Sequence, residues 1–523
     1  MTDQRAIAVK LAEAYAPDLV PVSNPLDDYI WTNKPTLMSG LDYHDDTVYI
    51  TVPASKNVQK MVGRGKQAVL KDRIENHTIC VTSAGEWFEF TEDEVLRRGF
   101  KFSPTFMQDP DESPWPMPDV RKWIEQDTES PDPFALWSEI RQIYVDHIEF
   151  AEERMYDFMA VWVMMTYVFR IYQSTPYVHF NGTMNAGKSQ NMRILNAIAL
   201  NPVWQSSMSP SALFRTIGST TGTVLIDECE TWKTESQQEL LQILKSGNTE
   251  GSKVRRVERS SDDKFQPVSF AAYSPKVFAS INPLDDTMQS RCIIINMRPA
   301  MRKIPSFIDK DERWPDLRNR LYLFAMYHTT TLTAIAKEWD DTKRHALAPL
   351  IQNRQWQMAL PILSLADYIA GKTLVEPLVE WLTNYWAEQV RNAAVTDRQA
   401  LLLRVLPRVI ATKTHQGDDW YTLKDIHASM LEYLDEDQHE HYKTRTIIRA
   451  LPPLGLPDKR NRGGGLQIKL PEEMIRTAIH QRRIEPFDED VEWLAGNVSY
   501  VTAPPLPASS QLWTLGDEDE HTL

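Results

Sequence analysis

The chain has 523 residues, 42% of them hydrophobic, and a formal net charge of −15. The length allows several domains, the apolar content excludes wholesale disorder, and the negative charge argues against a protein coated all over in nucleic acid, though not against a local basic channel. Three well-separated cysteines, Cys80, Cys229 and Cys292, with no CxxC pair, argue against a disulfide framework or a zinc site and for a reducing compartment.

The N-terminal stretch MTDQRAIAVKLAEAYAPDLVP has a mixed polar helix pattern without the apolar block of a signal peptide. The runs TVYITVP (47–53), HTICVTS (77–83) and EWFEFT (86–91) are rich in β-branched and aromatic residues and predict strands. Between the first two, the basic residues 55–73 read as a solvated connection with the charge to touch DNA. DYHDD (42–46) clusters acids in a region too short and irregular for a polymerase-type site, so primer synthesis is not expected. Pro- and acid-rich residues 105–135 predict a linker. Helical periodicity follows to Tyr172. It includes the longest apolar run, FMAVWVMMTYVF (158–169), which falls short of the ~20 residues of a membrane span and predicts a buried core helix. No membrane partner is expected.

Residues 176–300 alternate strand and helix patterns and predict one α/β domain. PYVHF (176–180) reads as a short apolar strand, and SQNMRILNAIAL (189–200) as a helix. Between them Gly182, Thr183, Met184, Asn185, Ala186, Gly187, Lys188 and Ser189 match G-x-x-x-x-G-K-[ST]. Strand, glycine loop and helix together make a phosphate cradle. Backbone N–H groups and the helix N-terminus face the phosphates, Lys188 reaches the β- and γ-phosphates of ATP, and the Ser189 hydroxyl ligates Mg²⁺. GTVLIDECE (222–230) predicts a buried strand ending in two acids. Either both are solvated at the strand's surfacing end, or Asp227 holds Mg²⁺ and Glu228 takes a proton from the attacking water.

GSKVRRVERSSDDKFQPVSF (251–270) predicts a β-hairpin with basic character from Lys253, Arg255, Arg256 and Arg259. In PKVFASINPLDD (275–286) a strand-like run ends at Asn282, which either opens an Asn-Pro turn or orients the lytic water. Arg291 stands just before the strand-like CIIINM. It serves either as a surface ion-pair partner or as a finger on a neighbour's γ-phosphate. From residue 316 to about 413 the pattern is helical. WYTLKDIHASMLEYL, YKTRTIIRALPPLG and LPDKRNRGGGLQIKL then give two short helices and a hairpin. Their Lys443, Arg445, Arg449, Lys459, Arg460 and Arg462 have the charge layout of a winged helix, which binds DNA or docks proteins. The HEH triplet (439–441) has the wrong spacing for a shared helix face and reads as a solvated loop. The tail beyond residue 480 carries no periodic pattern.

The order of these motifs, 182–189, MSPSALFRTI (208–217), VLIDECETW (224–232), LLQILKSGNTEGSKVRRVE (240–258) and FAAYSPKVFASINPLDDTMQSRCIIINM (270–297), resembles the AAA+ ATPase core of phage- and plasmid-encoded replication ATPases. These are relatives of the superfamily 3 helicases, many described only as primase/helicase-like. The SRC triplet also resembles the arginine-finger motif of AAA+ clamp loaders. The resemblance covers roughly residues 136–470 and is specific over 176–297. It implies a P-loop AAA+ core with a parallel sheet, joined to a small β-rich N-terminal domain, a helical region and a C-terminal winged-helix-like domain. The implied boundaries are 1–134, a helical collar 135–175, the core 176–300, helices 301–415, the winged unit 416–480 and a tail 481–523. It further implies ATP and Mg²⁺ as cofactors, Asn282 as sensor, Arg291 as finger, and a homo-oligomer, a hexameric ring with sites between subunits. In the superfamily 3 relatives the hairpin grips DNA in the ring pore. The function implied is a DNA motor, a replicative helicase in the cytoplasm (the host's, if phage-encoded). The alternative is a DNA-binding switch that loads, initiates or defends without processive unwinding.

Overall fold

The structure, a computed structural model, describes residues 29–30, 36–37, 40–62, 69–100, 107–108, 115–205, 213, 217, 222–227, 235–259, 265–396, 398–411, 419–434, 439, 442–454, 456, 458–462 and 465–481. The N-terminal helix pattern, the tail, Cys229 and Glu228 lie outside these. Contacts divide the chain into two units, Met1–His345 with Asn353–Leu378, and Ala346–Gln352 with Val379–Leu523.

The first unit begins with an antiparallel sheet of β1 (Gly40–His44), β2 (Thr47–Val62), β3 (Val69–Thr82) and β4 (Trp87–Glu89). Asp45 and Asp46, at φ 50° and 54°, make the two-residue turn between β1 and β2. That is the positive-φ turn whose twist suits a hairpin, and Asp tolerates it. Two acids of the DYHDD cluster are therefore turn residues. A third, Asp42, is buried with its Oδ1 3.8 Å from Arg170 Nε.

The basic stretch 55–73 is not a simple connection. β2 and β3 both extend into it, pairing Lys56 with Glu75, Lys60 with Lys71 and Val62 with Val69. Val58, Met61, Val62, Val69, Leu70 and Ile74 supply enough β-forming residues to carry the strands through the charges.

The expected linker contains regular structure. It holds α1 (Met117–Ile124), where Pro116 occupies the N-cap and a proline also stands in the first turn. Proline signals here mark a helix start rather than a break. Trp115 just before it is fully buried. Its ring stacks on Tyr322 at 4.9 Å, and its Nε1–H donates to Asn319 Oδ1 at 2.9 Å.

α2 (Pro133–His147) and α3 (Arg154–Val168) follow. Every residue from Met155 to Val168 is buried, as the all-round apolar run predicts. Among the described residues no helix is long and apolar enough to cross a membrane.

The centre of the unit is a five-stranded parallel sheet. Its strands are β5 (Tyr177–Gly182), β6 (Val203–Gln205), β7 (Val224–Ile226), then, after the hairpin β8 (Lys253–Arg259) and β9 (Phe265–Ala271), β10 (Lys276–Ser280) and β11 (Cys292–Met297). The spatial order is β11-β5-β10-β7-β6. Covering such a sheet on both faces makes its strands near-continuous apolar runs. α4 (Lys188–Ile198) and α5 (Glu235–Ser246) join strands, and α6 (Arg313–Glu338) and α7 (Arg354–Ala370) pack beside α3.

α8 (Lys372–Thr396) carries the chain into the second unit. There α9 (Arg398–Ala411), β12 (Trp420–Thr422), α10 (Leu423–Leu431), α11 (Thr444–Ala450), β13 (Lys459–Arg462), β14 (Gly465–Lys469) and α12 (Glu472–Gln481) surround a core that includes Leu402, Leu406, Ile426, Ile447, Ile468 and Ile475. The three strands form an antiparallel sheet, order β12-β14-β13.

Candidate nucleotide-binding site

Because the five central strands are parallel, their C-terminal ends share one edge. β5 runs there into the glycine loop, β7 into Asp227, and β10, which lies between them, into Asn282. After β5 the chain crosses to β6 at the far edge, returns through β7 and β10, and then jumps to β11 on the other side of β5. In open parallel sheets ligands bind at such a reversal, outside the carboxyl ends of the strands.

The loop is shaped by backbone requirements. A Cβ on Gly182 would lie 2.4 Å from the Met297 carbonyl oxygen, so only glycine lets β11 approach here. Asn185 has φ 63°, and Gly187, the N-cap of α4, has φ 85° with no side chain bonded to the helix's first N–H groups. Thr183, Met184 and Asn185 are exposed, and Ala186 is buried. Lys188 Nζ donates to the carbonyls of Gly182 (2.7 Å) and Thr183 (2.8 Å), and Ser189 is exposed one residue into the helix.

An uncapped helix N-terminus, a lysine folded back onto the first carbonyls of the loop and an exposed hydroxyl fit a magnesium nucleotide. Asp227 is half-buried at the end of β7. With Ser189 it offers the one or two protein groups that Mg²⁺ takes beside phosphates and water. The second acid, Glu228, lies outside the described residues.

Asn282 is exposed in the bend after β10. Its carbonyl accepts from Ser280 Oγ at 2.6 Å, and that oxygen is 2.7 Å from Nε2 of His179 in β5. His179 is fully buried, and burial lowers its pKa to about 4. In the sequence it stands as one more residue of an apolar strand. The available signal was a polar ring in a strand covered on both faces.

Arg291 lies at the opposite end of the sheet. It precedes β11, whose Cys292 pairs with Tyr177 and whose Met297 pairs with Gly182. Five residues of strand, about 16 Å, separate it from its own chain's loop. Its Nε donates to Lys245 O at 2.6 Å and its Nη1 to Thr287 O. Burial lowers its pKa.

The same end of α5 is held by two further side chains that the sequence did not reveal. Tyr177 OH donates to Leu244 O at 2.9 Å, and Lys276 Nζ to Gly247 O at 3.1 Å. Lys276 is fully buried, also donates to Ala272 O (3.0 Å) and Ser274 O (2.9 Å), and sits over the Tyr177 ring. Burial pushes its pKa well below the usual lysine range, while three carbonyls match the three N–H bonds of an ammonium.

The basic residues fall in two places. Lys253 and Arg255 are exposed on the hairpin strand β8. Arg256 and Arg259 lie in the same strand, opposite Val268 and Phe265. In the second unit Arg445 and Arg449 are exposed on α11, Lys443 is its N-cap residue, and Lys459 and Arg462 are exposed on β13. Arg460 differs. Its guanidinium lies 4.1 Å from the Trp420 ring centre, and its Nε donates to Gln467 Oε1 at 2.9 Å, so it braces the sheet. His439 Nε2 donates to Leu434 O at 3.1 Å, and the rest of the HEH triplet lies outside the described residues.

No protein-family model matches the sequence, and no curated protein matches it. Solved structures do match. A full-length MCM homolog from Methanopyrus kandleri is similar at 12% identity, with 74% of this chain and 86% of that one covered and a TM-score of 0.35. The C-terminal region of NrS-1 is similar at 12% identity, covering 66% and 76%, TM-score 0.29. The JCV helicase, solved with a small acetamide compound bound, is similar at 12% identity, covering 51% and 72%, TM-score 0.19.

Proposed function

We propose that the chain is an ATP-driven DNA motor of phage or mobile-element type, a replicative helicase working as a homo-oligomeric, hexameric ring. The observation that carries this reading is the meeting of the glycine loop, Asp227 and Asn282 at one edge of the parallel sheet, with Arg291 at the far end. Loop N–H groups and Lys188 bind the phosphates, Ser189 and Asp227 hold Mg²⁺, and Glu228 takes the proton of the attacking water while Asn282 orients it. Arg291 is too far from its own loop to serve it and completes the site of the next subunit. Lys253, Arg255 and Arg256 on the hairpin, and Arg445, Arg449, Lys459 and Arg462 on the winged unit, contact DNA phosphates without reading sequence. Arg460 braces that surface.

Lys188→Ala tests the nucleotide site. It is expected to abolish ATP hydrolysis with the fold retained, and unchanged turnover would falsify the reading. Strand displacement on a forked duplex, run beside a binding assay, separates motor from switch. ATP-dependent binding without displacement marks a switch.

A further inference from the structure

We infer that His179 and Ser280 form a positioning relay that holds Asn282 in register with the phosphate-binding loop, and that hydrolysis depends on it. The inference rests on the reading of Asn282 as the residue that orients the lytic water.

The strand ladder does not reach Asn282. Ser280, opposite Asn181, is the last paired residue of β10, and Ile281 and Asn282 follow in an exposed bend. The relay extends the grip of the sheet past that end. His179 stands three residues before Gly182, so the stem of the loop and the carbonyl of Asn282 are joined by two side-chain bonds.

The bonds also have a fixed direction. The Asn282 carbonyl can only accept, so the single hydroxyl proton of Ser280 points to it. Toward His179 the same oxygen can then only accept, which places the ring proton on Nε2. Nδ1 is left bare, and it is buried without a partner. Leaving a buried polar atom unsatisfied costs stability. A phenyl or isobutyl group would avoid that cost in an otherwise apolar strand. What the ring alone contributes is the N–H that fixes the Ser280 rotamer and, through it, the bend. Burial keeps the ring neutral at ordinary pH, so the donor pattern does not change with protonation.

The experiment compares Asn282→Ala, Ser280→Ala, His179→Phe and His179→Gln in the full chain. It reads steady-state ATPase and affinity for a fluorescent ATP analogue. Asn282→Ala and Ser280→Ala should each lower kcat by about 10- to 100-fold, the scale of a small misplacement at a reacting centre. Nucleotide affinity should change by less than about twofold. A variant combining Ser280→Ala with Asn282→Ala should be no slower than Asn282→Ala alone, because a relay has nothing to position once the amide is gone. His179→Gln, which keeps an N–H near the Nε2 position, should retain most of the rate that His179→Phe loses.

Multiplying effects in the double variant, or a wild-type rate in Ser280→Ala beside a slow Asn282→Ala, would overturn the relay. A wild-type rate in Asn282→Ala would remove the sensor reading beneath it and the relay with it. Should His179→Phe fail to fold, the Ser280 series decides alone.

Discussion

A single added carbon at residue 182 would lie 2.4 Å from the carbonyl oxygen of Met297. Backbone cannot step aside as a long side chain can. Gly182→Ala is therefore expected to pry β11 from β5, lower the melting temperature and abolish binding of an ATP analogue. Gly187→Ala meets only the end of the Met297 side chain at 3.6 Å and pays chiefly for its φ of 85°, about 1–2 kcal/mol. Calorimetry on the two variants should rank them in that order.

His179 makes a pH prediction at the same scale. Its folded pKa, about 4, lies below the ordinary 6.5 because burial disfavours the charged ring. Below about pH 6.5 the unfolded chain takes up a proton that the folded chain refuses. Stability from this group is thus intact above that pH and is lost as pH falls toward 4, to a limit of about 3 kcal/mol. His179→Gln should flatten that part of a denaturation series taken from pH 7.5 to 5, and a slope equal to wild type would assign the loss to other groups.

Among the elements, the segment around Trp115 shows what tertiary structure adds to a weak local pattern. Trp115→Ala should cost about 3–5 kcal/mol, the usual price of removing a buried indole, and should expose Tyr322 to quenchers in a fluorescence assay. Loss of less than 1 kcal/mol would mean that the segment is not docked in solution. The partner that orders this stretch, Asn319, is 204 positions away, so no window of sequence could show it.

The contrast with residues 176–200 is physical. An apolar strand, two glycines and an uninterrupted helical run are local signals, and the structure has the expected strand, loop and helix there. The reading of Asp227 rests on a local signal too, three apolar residues ending abruptly in acid. Lys276 and Tyr177 were not legible, because what makes them important is the end of a helix some thirty to seventy residues away in sequence. Residues 55–73 misled for another reason. Charge is a loop signal, yet the β-formers scattered among the charges here extend both strands.

For the whole molecule, the decisive test is whether sites are shared. On the proposed reading, Lys188→Ala removes a chain's own site but leaves its arginine, and Arg291→Ala does the reverse. Each variant alone should hydrolyse ATP poorly. Mixed, they create interfaces that pair an intact loop with an intact arginine, so activity should reappear and grow with protein concentration. Cross-linked mixed assemblies that stay inactive would count against completion in trans, and a monomer by light scattering at every concentration of ATP and DNA would remove the ring.

In the proposed ring, the far end of α5 would act as a gearing. Arg291 holds the carbonyl of Lys245, and eight residues on, from 245 to 253, the chain enters the hairpin. A guanidinium that swung out to a neighbour's phosphate would have to loosen its bonds to the carbonyls of Lys245 and Thr287. If the next subunit engages the arginine as proposed, the seat of this subunit's hairpin would lose a bolt, while Tyr177 and Lys276 still hold the helix end. Linkage would make such an exchange reciprocal. A load on the hairpin that reseats α5 would draw the arginine back, so the strand being moved would report its tension to the site that burns the fuel.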